Sequence, residues 1–367
     1  MNAPQRVIAL FLLALTGSLT LGGPVSRAAA GRDPSFDVIN SEIDRLLQAK
    51  EFSGVALVAR GGQSVFARAG GLANRSRLRP NRLETRFNLG SMNKMFTAVA
   101  VAQLAQRGKL QFTDAVAGHL ADYPNRDVAN RVTIHQLLTH TSGLGDIFGA
   151  EFEAGQEPLR QAGDYIQILA PRPLAFSPGA RWSYSSFGFI VLGAIIEKAS
   201  GQSYDDYVYY QIFQPAGMTR TGFHDKDDAG SDLALGYTYT GGTNHRQLPP
   251  RGTPAGGGYS TAEDLARFAD ALLTYRLLNR EYADLVLSRK VVTPRGGKYC
   301  YGFAEWSHGG RRVVGHGGGF PGISSQLDIH LESGYTVVVL SNTDPPAAAR
   351  LARFIAGKLT PADSPRK

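Results

Sequence analysis

Apolar residues recur along this chain with two different periods. Phe36, Ile39, Ile43, Leu46 and Leu47 fall at helical spacing, which predicts an amphipathic helix ending near Lys50. Gly54–Arg60 (GVALVAR) and Ser64–Ala69 then read as two strands of an antiparallel hairpin that turns at Gly61 and Gly62. From Ser91 the run SMNKMFTAVAVAQLAQRG is apolar around most of its circumference between Met95 and Ala102. It therefore predicts a buried helix, with Gly108 as its stop. Thr133 and Gln136 stand at capping-box spacing ahead of Leu137 and Leu138 and predict another helix, which stops near Gly143.

Residues from about 115 to 245 carry no long alternating pattern. That stretch reads as mainly helical and loop-rich, with a strong helical segment through Phe189, Ile190, Leu192, Ile195 and Ile196. Strand character returns at Arg312–Val314, Ser324–Leu331 and Tyr335–Leu340, with Glu332, Ser333 and Gly334 as the turn between the last two, and Ala347–Gly357 closes as a helix. Sheet at both ends with helices between predicts an α+β fold: an antiparallel sheet flanked by helices, plus an inserted mainly helical domain. The sheet-containing part covers about 31–114 and 250–367 and the insertion about 115–249, with a cleft where the two meet.

The N-terminus changes the picture of where the protein works. Arg6 precedes an apolar run from Val7 to Leu21, followed by Gly22, Gly23, Pro24 and then Ala28, Ala29 and Ala30. This order predicts a signal peptide over 1–30, cut after Ala30, and an exported mature chain, periplasmic or secreted. Thr16, Ser18 and Thr20 interrupt a run already shorter than the ~20 apolar residues of a spanning helix. No later segment is long and apolar enough, so no stable membrane span is expected after processing.

At 367 residues, 43% hydrophobic and 19% charged, the composition is that of a folded globular protein. The single cysteine, Cys300, excludes an intrachain disulfide and with it the small disulfide-dense secreted scaffolds; it reads as a packing residue beside Tyr299 and Tyr301. A formal charge of +8 permits an acidic partner surface. The basic residues are scattered, however, and the one cluster, Arg75, Arg77, Arg79, Arg82 and Arg86, comes with no recognition motif. That cluster reads as a solvated loop, and no nucleic-acid partner is expected. His135 and His140 stand about 140° apart around a helix and share no face, and neither HExxH nor paired-cysteine spacing occurs, so no metal or other cofactor is expected.

Ser91 and Lys94 lie three apart at the start of the buried helix, so both side chains emerge on one face. With little polar face to hold a solvated ammonium, the lysine's charged form is disfavoured, its pKa falls, and a neutral amine can take the serine proton. The helix start also aims free backbone N–H groups at negative charge developing nearby. Two further residues stand at long sequence distance: Tyr184 in PGARWSYSSFG and His316 in VVGHGGGFPG. Taken singly, Tyr184 reads as a core tyrosine and His316 as a turn residue between strands. Gly317, Gly318 and Gly319 argue differently for His316, because glycines let backbone approach a ligand at a strand edge and suit an oxyanion donor.

Ser91-x-x-Lys94, Tyr184-x-Ser186 and His316-x-Gly318, in that order, resemble the three motifs of the penicillin-recognising serine hydrolases. Within that family the chain looks like the branch of class C β-lactamases, D,D-carboxypeptidases, D-aminopeptidases and esterases. The stretches HQLLTHTSGL (135–144), GFIVLGAIIEKASGQSY (188–204) and AGGGYSTAEDLARFADALL (255–273) extend the resemblance over nearly the whole mature chain. It implies a serine β-lactamase-like fold, with Ser91 as nucleophile, Lys94 as its proton acceptor and Tyr184 as the phenol that relays a proton to the leaving group. It also implies that His316 lines the cleft and supports the tyrosine or the substrate. The oxyanion would lie between the N–H groups of Ser91 and Gly319. The substrate would be a small-molecule ester, lactam or short peptide, handled without a cofactor.

Three departures from the family pattern bear on specificity. Ser186 stands where the family has asparagine and offers only a short hydroxyl. Gly317 brings no hydroxyl to the third motif, and His316 replaces the permanently charged lysine of true β-lactamases. These departures favour esters over lactams and D-peptides. A catalytically silent binding protein on the same scaffold is the alternative of another class, which Ser186 favours and the joint presence of Ser91, Lys94 and Tyr184 opposes. An α/β-hydrolase would need a G-x-S-x-G elbow, and the near miss Gly258-Tyr259-Ser260-Thr261-Ala262 lacks the final glycine.

Overall fold

The first apolar helix and the hairpin form close to where the sequence puts them: α1 covers Pro34–Gln48, β1 Gly54–Arg60 and β2 Gln63–Gly70. These elements belong to a computed structural model that describes residues 34–148, 159–227, 230 and 232–359; the expected leader, 1–30, lies outside the described residues. After the helical middle of the chain come β3 (Val291–Val292), β4 (Lys298–Tyr299), β5 (Ala304–His308), β6 (Arg311–Phe320), β7 (Ile323–His330) and β8 (Tyr335–Ser341). Among the described residues they join β1 and β2 in one eight-stranded antiparallel sheet, ordered β2-β1-β8-β7-β6-β5-β4-β3.

Both faces of this sheet are covered, which is why its central strands are buried almost throughout. Alternation sends Val58, Val337 and Val339 to one face, where Ile39 and Ile43 of α1 and Leu351 and Ile355 of α6 (Ala347–Ala356) pack on them. Leu57, Leu327, Val338 and Leu340 point to the other face, into the main core. That core also holds α2 (Asn93–Gln106), α4 (Ser186–Ser200) and α5 (Ala262–Leu273). The described residues from Pro34 onward pack as one compact unit. The fold is the antiparallel sheet flanked by helices that the sequence predicts.

Four differences from the sequence reading have physical causes. The expected strand at Arg312–Val314 runs on to Phe320, so the glycine run 317–319 is strand and not turn. Glycines carry no alternation signal, which hides such a strand from the pattern. β3, β4 and β5 were not expected, and two of them are only two residues long. The helix capped by Thr133, α3 (Ile134–Leu138), ends short of Gly143 because His140 adopts a left-handed φ of 59°. The arginine cluster is more than a solvated loop. Arg86 makes bonds of 2.8 and 2.6 Å to Asp232, Arg79 donates to the Leu233 carbonyl, and the Arg75 guanidinium lies 4.1 Å over the Tyr237 ring, while Arg77 and Arg82 stay exposed. Among the described residues no helix is long and apolar enough to cross a membrane.

Candidate active site

Ser91 sits in a single 3-10 turn, Gly90–Met92, that runs directly into α2. The turn is set by Gly90, whose φ is 52° and whose N–H donates to the Asn88 side chain at 2.9 Å. α2 is buried around its whole circumference, so its few polar side chains must be satisfied within the protein. They take three successive carbonyls of one loop: Asn93 donates to Thr253 O at 3.1 Å, Thr97 to Pro254 O at 2.7 Å and Lys94 to Ala255 O at 2.7 Å. Buried polar groups inside an apolar helix thus lock the loop 253–255 against the serine.

Lys94 Nζ lies 3.2 Å from Ser91 Oγ and 3.5 Å from Ser186 Oγ, and the residue is 0% exposed. The rings of Tyr184 and Phe189 close over it, with centroids at 4.8 and 5.6 Å. Burial lowers the lysine pKa to about 7, with the negative charge of Asp146 acting in the opposite direction. An ammonium removed from water costs several kcal/mol unless fully paired, so the amine is poised between its two forms near neutral pH. Asp146 is fixed at the start of α4, where one of its oxygens accepts the N–H groups of Ser186 at 3.0 Å and Ile147 at 2.8 Å.

Tyr184 and Ser186 are brought in by the N-terminus of α4, where the Ser185 side chain caps the helix by accepting the Gly188 N–H at 3.0 Å. The Tyr184 phenol interacts with Ser91, which favours its ionised form slightly, but burial is the larger effect and raises its pKa well above the ordinary value. It therefore stays a neutral phenol at pH 7 and can both accept and donate a proton.

β6 supplies the opposite wall. β5 pairs with it only as far as Gly315, so residues 316–320 keep an open edge on that side. Gly318 packs so closely on Leu89 that a Cβ would fall 1.9 Å from the Leu89 carbonyl oxygen. A Cβ on Gly90 would meet Gly319 N at 3.1 Å, which puts that amide beside the turn carrying Ser91. His316 does not reach the cavity. Its ring is buried, with Nδ1 at 2.6 Å from Gly317 O and Nε2 at 3.1 Å from the Tyr299 hydroxyl, and burial together with the nearby Lys94 lowers its pKa to about 4. Tyr299 in turn packs on His140 with ring centroids 4.8 Å apart, so His316 touches the tyrosine region only through intermediaries.

Ser91, Tyr184, Ser186 and Gly319 line one cavity of about 170 Å³. Much of the remaining wall is apolar, from Ile147, Phe148, Leu248, Pro249, Phe320 and Ile323; Asn88 and Thr253 add polar side chains, and no charged side chain lines it among the described residues. Phe148 and Phe320 stack at 5.9 Å. Cys300 stands apart from this cavity, buried with its thiol at 3.2 Å from Leu287 O and its pKa raised to about 11.

Sequence reasoning missed Asp146, His140 and the Ala255 carbonyl. The first two flank TSGL in a stretch whose only signal was family likeness, and a backbone acceptor leaves no signal at all.

A model of the family described as Beta-lactamase matches residues 39–360. Penicillin-binding protein 4* of Bacillus subtilis is 31% identical over 324 residues, covering 82% of this chain and 70% of that protein. Esterase EstB of Burkholderia gladioli is 37% identical over 199 residues, half of each chain. The crystal structure of a penicillin binding protein from Bacillus halodurans superposes with a TM-score of 0.79 at 33% identity, covering 86% of this chain and 99% of that one. With a match of this extent and a serine and lysine in contact at the start of a buried helix, the chain belongs to the β-lactamase family of penicillin-binding-protein-like serine hydrolases.

Proposed function

We propose that this protein is an exported hydrolase that cleaves small esters through a covalent acyl-enzyme on Ser91. The observation that carries the reading is the 3.2 Å contact between Ser91 Oγ and the fully buried Lys94 amine, whose pKa burial lowers to about 7. In acylation, Ser91 Oγ attacks the substrate carbonyl carbon and its proton passes to neutral Lys94. The oxyanion is held by the N–H groups of Ser91 and Gly319. As the carbon–oxygen bond to the leaving group breaks, the proton moves from Lys94 through the Tyr184 phenol to the departing oxygen. Water then attacks the acyl carbon, gives up a proton along the same route, and releases the acid and free Ser91. The export half of the proposal rests on the leader-like order of residues 1–30.

Ester preference is supported by the cavity wall. Its largely apolar and uncharged lining suits a neutral acyl or alkoxy group, whereas a substrate carboxylate would find no cation among the lining residues described. His316 is neutral and turned away. Ser186 offers a hydroxyl where an amide would bind a peptide-like side chain, so a hydrogen bond worth about 0.5 to 1.5 kcal/mol is missing for lactams and D-peptides. The esterase among the relatives is consistent with this preference. The kcat/KM for p-nitrophenyl butyrate is accordingly expected to exceed that for nitrocefin, and Ser186→Asn to narrow the gap. A ratio below one in the natural protein overturns the ester preference.

The pH profile tests the base. Lys94 acts only when unprotonated, so kcat/KM for the ester rises with pH through about 7 and then levels. Asp146 favours the ammonium form, so Asp146→Asn lowers the lysine pKa and moves this limb to lower pH. A limb that stays put, or moves upward, contradicts the assignment of Lys94 as its source.

A further inference from the structure

We infer that His140 is a positioning residue that holds the Tyr184 phenol on Ser91 by gripping the chain on both sides of it; this rests on the acyl-serine reading above. Ser183 and Ser185 flank the tyrosine. The His140 carbonyl oxygen accepts the Ser183 N–H at 2.8 Å, and its ring Nδ1 accepts the Ser185 N–H at 3.1 Å. Between those bonds the imidazole lies against the Tyr184 ring, with centroids 4.3 Å apart and planes inclined by 33°. One residue thus fixes the backbone before the tyrosine, the ring itself and the backbone after it.

The local backbone marks the same constraint. His140 has a φ of 59°, a left-handed conformation uncommon for any residue with a side chain, though less so for histidine, asparagine and aspartate than for the rest. The ring is fully enclosed by aromatic neighbours, with Tyr299 at 4.8 Å, Phe189 at 5.2 Å and Trp182 at 5.8 Å between centroids. A phenylalanine would fill such a box equally well. What histidine alone adds is the Nδ1 acceptor, since Nε2 has no hydrogen-bond partner among the described residues. Accepting at Nδ1 requires a neutral ring, and burial with the nearby Lys94 and His316 disfavours its protonation.

A relay works only if its hydroxyl stays within hydrogen-bond reach of the nucleophile, and a misplacement of about 1 Å can cost on the order of 10²-fold in rate. The test compares His140→Phe, His140→Asn and His140→Ala in the otherwise unchanged chain by thermal melting and by kcat and KM for p-nitrophenyl butyrate. His140→Phe keeps the ring and loses the acceptor. It is expected to lower kcat about 10-fold or more with KM within about twofold, the signature of an interaction needed in the transition state. Asparagine carries an acceptor at the equivalent atom and tolerates the left-handed backbone, so His140→Asn should exceed both other variants in kcat. If His140→Phe fails to fold, His140→Asn against His140→Ala carries the comparison. Wild-type kcat in a folded His140→Phe, or His140→Asn no faster than His140→Ala, overturns the positioning role. A natural protein that takes no fluorophosphonate label on Ser91 overturns the acyl-serine reading instead, so the two failures are distinguishable.

Discussion

Ser91→Ala is expected to bring hydrolysis of p-nitrophenyl butyrate down to within about 10³-fold of the uncatalysed rate, a loss on the order of 10⁴-fold or more, while leaving the melting temperature nearly unchanged. The scale follows from removing a nucleophile whose neighbours can act only through it: binding and the oxyanion donors account for the residual rate. The fold is indifferent because the hydrogen bond described for Ser91 Oγ lies within the site, to Lys94. The turn that carries it is set by Gly90 and Asn88, which the substitution leaves in place.

Lys94→Met should cost on the order of 10² or more in kcat/KM, the range of general acid–base catalysis. Methionine keeps most of the volume in a slot that is 0% exposed and removes the amine alone. Stability should fall modestly, by about 1 to 3 kcal/mol, because the Ala255 carbonyl loses its donor in a buried place. Tyr184→Phe should show a loss of similar size with its ring contacts retained. The double variant should be little worse than the poorer single one, since the two groups move one proton between them. Additive losses would mean that they serve separate steps. Rates checked on folded, melt-verified protein separate either result from unfolding.

How much of this could be read in the sequence depended on which physical signal each part leaves. The buried helix behind Ser91 was legible because α2 is apolar on every side, and the same pattern singled out Lys94 as a lysine without a solvent face. Tyr184 and His316 were reached through motif order alone. The geometry then separates them, with Tyr184 in the cavity wall and His316 behind it, bonded to Tyr299. β6 was only half legible, as its last residues are glycines whose value lies in close approach to Leu89 and Gly90. Asp146 and His140 were hidden because their effect runs through backbone N–H groups of a segment about 40 residues away. Local patterns cannot report such long-range contacts.

The most direct measurement is the intact mass of the purified protein after incubation with a fluorophosphonate, followed by peptide mapping. A single adduct on Ser91, forming faster as pH rises through about 7, is the result expected from a serine next to a buried lysine of that pKa. An adduct on any other residue, or no adduct on a folded protein, would contradict the acyl-enzyme mechanism.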